Sequence, residues 1–198
     1  MRHLLALALL MPALAAADDF AIDPVHTRVM VAVDHAGFSR ALGTLSGSHG
    51  RLVFGDGWAD ASVDVTLPLD RLDFGDAGWN RAVQGLLDVD RSPQARFISE
   101  TVTPRDATHA QVCGRFTLHG TTRPLCMDAT FNALRRHPMP PFRRTAGFSA
   151  IARLDRFDYG IDAWPSVIGR DVEIRIELEA SRGIGAPAPD LPDEDSAR

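Results

Sequence analysis

Asp171-Val172-Glu173-Ile174-Arg175-Ile176-Glu177-Leu178-Glu179 alternates charged and apolar residues without a fault. Successive side chains of a strand point to opposite faces. This segment therefore has one dry face, Val172, Ile174, Ile176 and Leu178, and one charged face. A sheet with water on one side only is built from such strands. Working back along the chain, the pattern returns. Val29, Val31 and Val33 share a face, as do Val63, Val65, Leu67 and Leu69. Phe148, Ala150, Ala152 and Leu154 oppose Ser149, Ile151 and Arg153. Turn residues separate the runs at Gly55-Asp56-Gly57, Gly120, the prolines of residues 138–141, and Asp158 to Gly160.

One segment has a different period. In residues 76–87, Trp79, Val83 and Leu86/Leu87 recur at helical spacing behind Asp76, a good N-cap. Pro93 marks the return to extended chain. About eight strands with one short helix fit an antiparallel barrel or a sandwich. The barrel is favoured, because a sheet curled on itself gives every long strand one dry and one wet face.

Residues 112–131 fix their own register. A two-residue turn at His119-Gly120 pairs residues whose numbers sum to 239, beginning with Leu118 and Thr121. Arg115–Pro124 then falls on a non-hydrogen-bonded pair, which suits a residue without an N–H. Cys113 and Cys126 come directly opposite one another at about 4.5 Å between Cα atoms, within disulfide range. They share the wet face with Arg115, Thr117, Asp128 and Thr130. Val112, Gly114, Phe116, Leu118, Leu125, Met127, Ala129 and Phe131 share the dry one. The placement predicts a disulfide in an exported protein; two unpaired thiols are the alternative.

The termini read differently. Arg2 and His3, the apolar run of residues 4–14 and Ala15-Ala16-Ala17 have the layout of a secretory signal peptide over residues 1–17. That run is too short to span a bilayer. Residues 183–198 are acidic and proline-rich, and read as a disordered tail. One domain, residues 18–182, remains. All 21 basic residues are arginines, and loss of Arg2 moves the formal charge from -5 to -6. Dispersed arginines outnumbered by acids exclude a nucleic-acid surface.

Motifs for catalysis are missing: there is no G-x-S-x-G, C-x-x-C or H-E-x-x-H. His26 and His35 lie nine residues apart in extended chain, too far to share a metal. His49, His109, His119 and His137 fall in turns, loops or edges. Asp70/Asp73 and Asp88/Asp90 form no evident acid–base dyad. The dry face carries no charge. Its small members Gly114, Ala129, Ala150 and Ala152 fit two readings: a filled, tapered barrel, or a slot for an apolar guest.

The chain resembles the YceI-like family over residues 20–181. The resemblance rests on Ile22-Asp23, His26-Thr27, the Val33-to-Ser39 run VDHAGFS with Gly43, and Leu86 to Asp90 before Pro93. It continues in Phe97-Ile98-Ser99, the Gly114-to-Pro124 run GRFTLHGTTRP, Ala146-Gly147-Phe148, the Arg156-to-Ile161 run RFDYGI, and Gly169-Arg170-Asp171-Val172. It implies an all-β, lipocalin-like antiparallel barrel of about eight strands with one short helix, exported to the periplasm. It also implies a non-catalytic role: binding, transporting or sequestering a polyisoprenoid, isoprenoid quinone or fatty amide in the barrel, with no cofactor required. The expected lining is Val31, Val33, Val65, Leu67, Phe116, Leu118, Met127, Phe131, Phe148, Ala150, Ile174 and Ile176, with Phe38 and Trp79 at the mouth. The expected partners are the apolar lipid and, transiently, a membrane; a homodimer stays open. A ligand-free structural barrel supporting a membrane redox or stress-response partner is the alternative. The chain departs from the family at Leu45 and Ser48, where aromatics are common, at Asn80, where an acid is common, and in its cysteine pair.

Overall fold

The computed structural model describes residues 17–55 and 57–187. The expected signal peptide, up to residue 16, and the acidic tail from residue 188 lie outside the described residues.

The strands are β1 (Asp18–Ile22), β2 (Arg28–His35), β3 (Ser39–Leu45), β4 (His49–Gly55), β5 (Gly57–Pro68) and β6 (Leu72–Asp73). After helix α1 (Ala77–Leu86) come β7 (Gln94–Pro104), β8 (His109–Leu118), β9 (Thr121–Arg136), β10 (Arg144–Asp155) and β11 (Ile168–Arg182). Neighbours are antiparallel in the order β1-β4-β5-β7-β8-β9-β10-β11-β2-β3-β6. β1 also pairs with β11, through Ala21–Ser181 and Ile22–Ala180, which closes eight strands into a barrel. Closure removes the sheet edges that an open sheet would expose. β2 pairs with β11 along residues 168–177, beside its contact with β1; β3 pairs with β2 and β6 with β3, so this part of the sheet continues the wall, and α1 follows β6.

The β8–β9 hairpin has the predicted register throughout, from Leu118–Thr121 to His109–Thr130. His119 (φ 52°) and Gly120 (φ 71°) both adopt left-handed backbone, the geometry a two-residue hairpin turn of this twist requires. The His119 ring lies 3.0 Å from the Tyr159 carbonyl oxygen through Nδ1, tying the turn to the short 3₁₀ segment Arg156–Tyr159. Cys113 and Cys126 form the disulfide on the outer face, with Cα atoms 4.0 Å apart.

Helix α1 begins where the sequence places it. The Asp76 carboxylate accepts hydrogen bonds from the N–H groups of Gly78 (2.8 Å) and Trp79 (2.9 Å). Asn80 accepts from the Phe74 N–H at 2.7 Å and donates to Asp73 at 2.8 Å, fastening the helix to the end of β6. An acid at position 80 could accept the first bond but could not donate the second.

Two expectations about the faces need correction. Gly114 is not a small residue facing a slot: a Cβ there would stand 2.1 Å from the Ile98 carbonyl oxygen. It permits a close approach of β7 beside the bulge between Ser99 and Thr101. The charged face of β11 is not wholly wet either. Glu173 is buried on the outside of the barrel, because Arg40 and Arg153 (each 3.3 Å) and Arg175 (2.8 Å) close over its carboxylate. Ala32, its neighbour in register on β2, is small enough for Arg40 to lie across it and donate to the Ala32 carbonyl oxygen at 2.9 Å.

Candidate functional site

The dry faces do not meet in a filled core. They enclose a cavity of about 750 Å³. The β8–β9 hairpin contributes Val112, Phe116, Leu118, Leu125, Met127 and Ala129. Next to it, Phe148, Ala150, Ala152 and Leu154 of β10 stand in register with Leu178, Ile176, Ile174 and Val172 of β11. Thus all four apolar residues of the alternating run 171–179 line the cavity. Val29, Val31 and Val33 extend the wall along β2, and Leu52, Phe54, Trp58, Val63, Val65 and Leu67 complete it through β4 and β5.

Of the fourteen site residues expected from sequence, eleven of the twelve lining residues, Val31, Val33, Val65, Leu67, Phe116, Leu118, Met127, Phe148, Ala150, Ile174 and Ile176, come together here with Trp79 of the mouth pair. The other two do not line it. Phe38 is 91% exposed in the β2–β3 turn, where a two-strand connection points its side chain outward. Phe131 has the inward parity of Met127 and Ala129 but lies past the cavity's end. It packs there against Phe54 and Phe148, with ring centroids 4.9 and 5.5 Å away. Trp58 joins this cluster at 5.6 Å from Phe54 and 5.8 Å from Phe148. The four rings stopper one end of the barrel.

The opposite end is the mouth. Trp79, Ala82, Val83 and Leu86 of α1 face Trp164 and Val167 of the β10–β11 loop across it. His35 packs against Trp79 with ring centroids 5.6 Å apart and planes tilted by 45°, and Asp34 stands beside it. Trp79 is 44% and Trp164 64% exposed, so both straddle the cavity and the solvent. The backbone N–H of Ala36 donates to the Val167 carbonyl oxygen at 2.7 Å, pinning the β2–β3 turn to this loop.

Polar groups in the wall are few. Thr27 spends its hydroxyl on the backbone of Glu179, donating at 3.1 Å and accepting at 3.2 Å. Leu45 and Ser48, where the family resemblance leads one to look for aromatics, are both buried and both line the cavity, and their small volume leaves the space open. Arg156 was missed as a lining residue, because it belongs to no alternating strand. It is 4% exposed, and its guanidinium donates to the carbonyl oxygens of Gly169 (2.9 Å), Ile168 (2.8 Å) and Ile161. Burial pushes its pKa down, opposed by the carboxylates of Asp155 and Asp162. Its other face lies 4.8 Å from the Phe157 ring centroid, and Arg170 lies 4.7 Å from the same ring. The donors of Arg156 are thus directed at the backbone of the mouth loop. Leu52, Phe54, Trp58, Trp164 and Val167 were also missed. The alternation of Leu52 and Phe54 was the available signal; Trp58, Trp164 and Val167 carry none. Among the described residues, no group of three or more His, Cys, Asp or Glu could hold a metal ion.

A closed antiparallel barrel around an apolar cavity, with a helix and a tryptophan-bearing loop at its mouth, has the form of a small-ligand binding protein. A family model for the YceI-like domain matches residues 20–180, and the chain belongs to that family. A UPF0312 protein of Pseudomonas savastanoi pv. phaseolicola is 32% identical over 177 residues, covering 87% of this chain and 91% of the relative. One from Vibrio parahaemolyticus is 30% identical, covering 87% and 93%. Among solved structures, BcnA of Burkholderia cenocepacia superimposes with a TM-score of 0.70 at 21% identity, covering 80% of this chain and 99% of that one. A polyisoprenoid binding domain from Saccharophagus degradans superimposes with a TM-score of 0.59 at 12% identity, covering 85% and 98%.

Proposed function

We propose that this protein binds a long-chain apolar lipid (a polyisoprenoid, an isoprenoid quinone or a fatty amide) inside the barrel, and carries or sequesters it without chemical change. The observation that carries this reading is the cavity of about 750 Å³ walled mainly by Val, Leu, Ile, Phe, Met and Ala side chains. Each CH₂ buried there is worth about 0.8 kcal/mol relative to water. Several isoprene units would give useful affinity after ordering costs. The same tail is also stable in a bilayer, so transfer between the two is nearly balanced, as a carrier requires.

A non-catalytic role is supported by the wall chemistry. Arg156 and Thr27 direct their polar groups to backbone rather than to the interior. The exposed aromatics Phe38, Trp79 and Trp164 beside the mouth suit transient contact with a membrane, because amphipathic rings settle at the headgroup level. The periplasm is the proposed site of action. The leader-like N-terminus supports it, as does the Cys113–Cys126 bridge, which suits an oxidising compartment.

Native mass spectrometry of protein purified from its own periplasm, with lipid extraction of the same sample, tests the reading. A stoichiometric apolar lipid is the expected result. Protein that is ligand-free as isolated and takes up no isoprenoid or acyl chain would instead favour a purely structural barrel.

A further inference from the structure

The aromatic stopper stands where the barrel wall comes apart. β5 pairs with β7 from Pro68–Gln94 to Asp64–Ile98, and the ladder ends there. The next amide of β5, Val63 N–H, donates instead to the side-chain oxygen of Ser99 at 2.9 Å. Beyond that point, among the described residues, β5 pairs with β4 alone and Thr101–Pro104 of β7 pair with β8 alone. The gap opens on a shallow second depression of about 540 Å³ on the barrel's closed end. Its lining includes Pro104, Ala107, Phe131 and Leu134, with Arg144 at its edge.

Trp58 lines both spaces. Among the described residues it is the one common to the two linings, and it is 7% exposed. Its indole Nε1 has no hydrogen-bond partner among the described residues, so the ring is held by packing, including that against Phe54, Phe131 and Phe148. It follows Gly57, whose left-handed φ of 115° starts the splayed part of β5. An aromatic side chain without a polar tether, beside a break in the ladder, can swing out at the cost of packing only.

We propose that Trp58 is a chain-length gate. A linear apolar chain too long for the main cavity displaces the indole, passes between β5 and β7, and lays its end in the second depression. The main cavity holds about 25 carbon-sized groups, at the roughly 30 Å³ that a water-sized group occupies. Chains longer than that are the class that needs the second chamber. This inference rests on the lipid-binding reading and adds to it the residue that selects among lipids.

The test compares two isoprenoid alcohols, four-unit geranylgeraniol and nine-unit solanesol, binding to delipidated full-length mature protein. The readout is the ratio of their affinities, measured by native mass spectrometry in competition. Trp58→Ala should raise the solanesol-to-geranylgeraniol ratio about tenfold by merging the two spaces. Leu134→Trp, which fills the second depression, should lower it about tenfold. If Trp58→Ala fails to fold, Leu134→Trp decides alone. A ratio unchanged within twofold in the folded variants overturns the gate while leaving lipid binding intact. If the unsubstituted protein binds neither alcohol, the gate is overturned, and lipid extraction of the protein as isolated decides separately whether the lipid-binding reading stands on an acyl chain.

Discussion

The carbonyl oxygen of Ile98 stands 2.1 Å from the point a Cβ on Gly114 would occupy. Glycine is required there by a neighbouring backbone. Gly114→Ala must push β7 and β8 apart at the bulge, and it should destabilise the protein by about 1–3 kcal/mol, as overpacking does. Urea denaturation measures the loss. A variant as stable as the parent would show that the bulge relaxes freely.

Ala129 and Ala150 face each other in register across β9 and β10, and both line the cavity. A tryptophan at either position projects into open space rather than into backbone. Ala129→Trp and Ala150→Trp should therefore fold and lose lipid binding, read by circular dichroism together with native mass spectrometry. Full binding in both would place the ligand elsewhere.

The disulfide lies on the outer face of the same hairpin, away from the lining. Replacing both cysteines by serine should cost about 3 kcal/mol in the chain-entropy model for so short a loop. Lipid affinity at a temperature where both forms are folded should stay the same. Loss of affinity without loss of stability would mean that the bridge shapes the interior.

Hydrogen bonds from Arg175 and then Arg40 hold the Glu173 carboxyl below the ordinary carboxylate range. A lowered folded-state pKa means that the unfolded chain takes up its proton first as pH falls. The stabilisation is complete above the unfolded value of about 4.3 and is lost as pH falls through the lower folded value. Glu173→Gln should thus melt below the parent at about pH 7, with the gap closing as the pH falls below the unfolded value. A gap of constant size across that range would assign the effect to packing, not charge.

Arg156 ties the β10–β11 loop at Ile161 to the first residues of β11, Ile168 and Gly169, through three carbonyl oxygens. A lysine ammonium lacks the planar fork that reaches all three. Arg156→Lys should cost about 2–3 kcal/mol through orphaned carbonyls. It should also raise hydrogen exchange in residues 161–168 before it does so in β10. Uniform exchange across both segments would show that the loop is held by other contacts.

The barrel walls were legible in the sequence because a period of two leaves little freedom. The register of β8 and β9 follows from one turn and is met at every pair down to His109–Thr130. The inward residues of β10 and β11 follow from parity alone. What the pattern could not supply was position along the barrel axis. Phe131 has the correct parity and the wrong height, since Phe54, Phe148 and Trp58 already fill that level. Glu173 looked solvated because its cover comes from Arg40 on β3 and Arg153 on β10, side chains distant in sequence. Arg156 and Trp164 reach the mouth from non-repeating segments, where no period exists to read.

The barrel is closed by β1 pairing with β11, with Ala21 opposite Ser181. Those residues are 160 positions apart in the chain, and contacts of such range are slow to form because the loop between them must be ordered first. A half-made barrel is an open sheet with no interior. The cavity consequently has no partial form: it arrives with the last strand, and a ligand can stabilise only the completed fold. A chain that begins after Ile22 or ends at Ile176 would lose the cavity as a whole, however intact the hairpin in its middle.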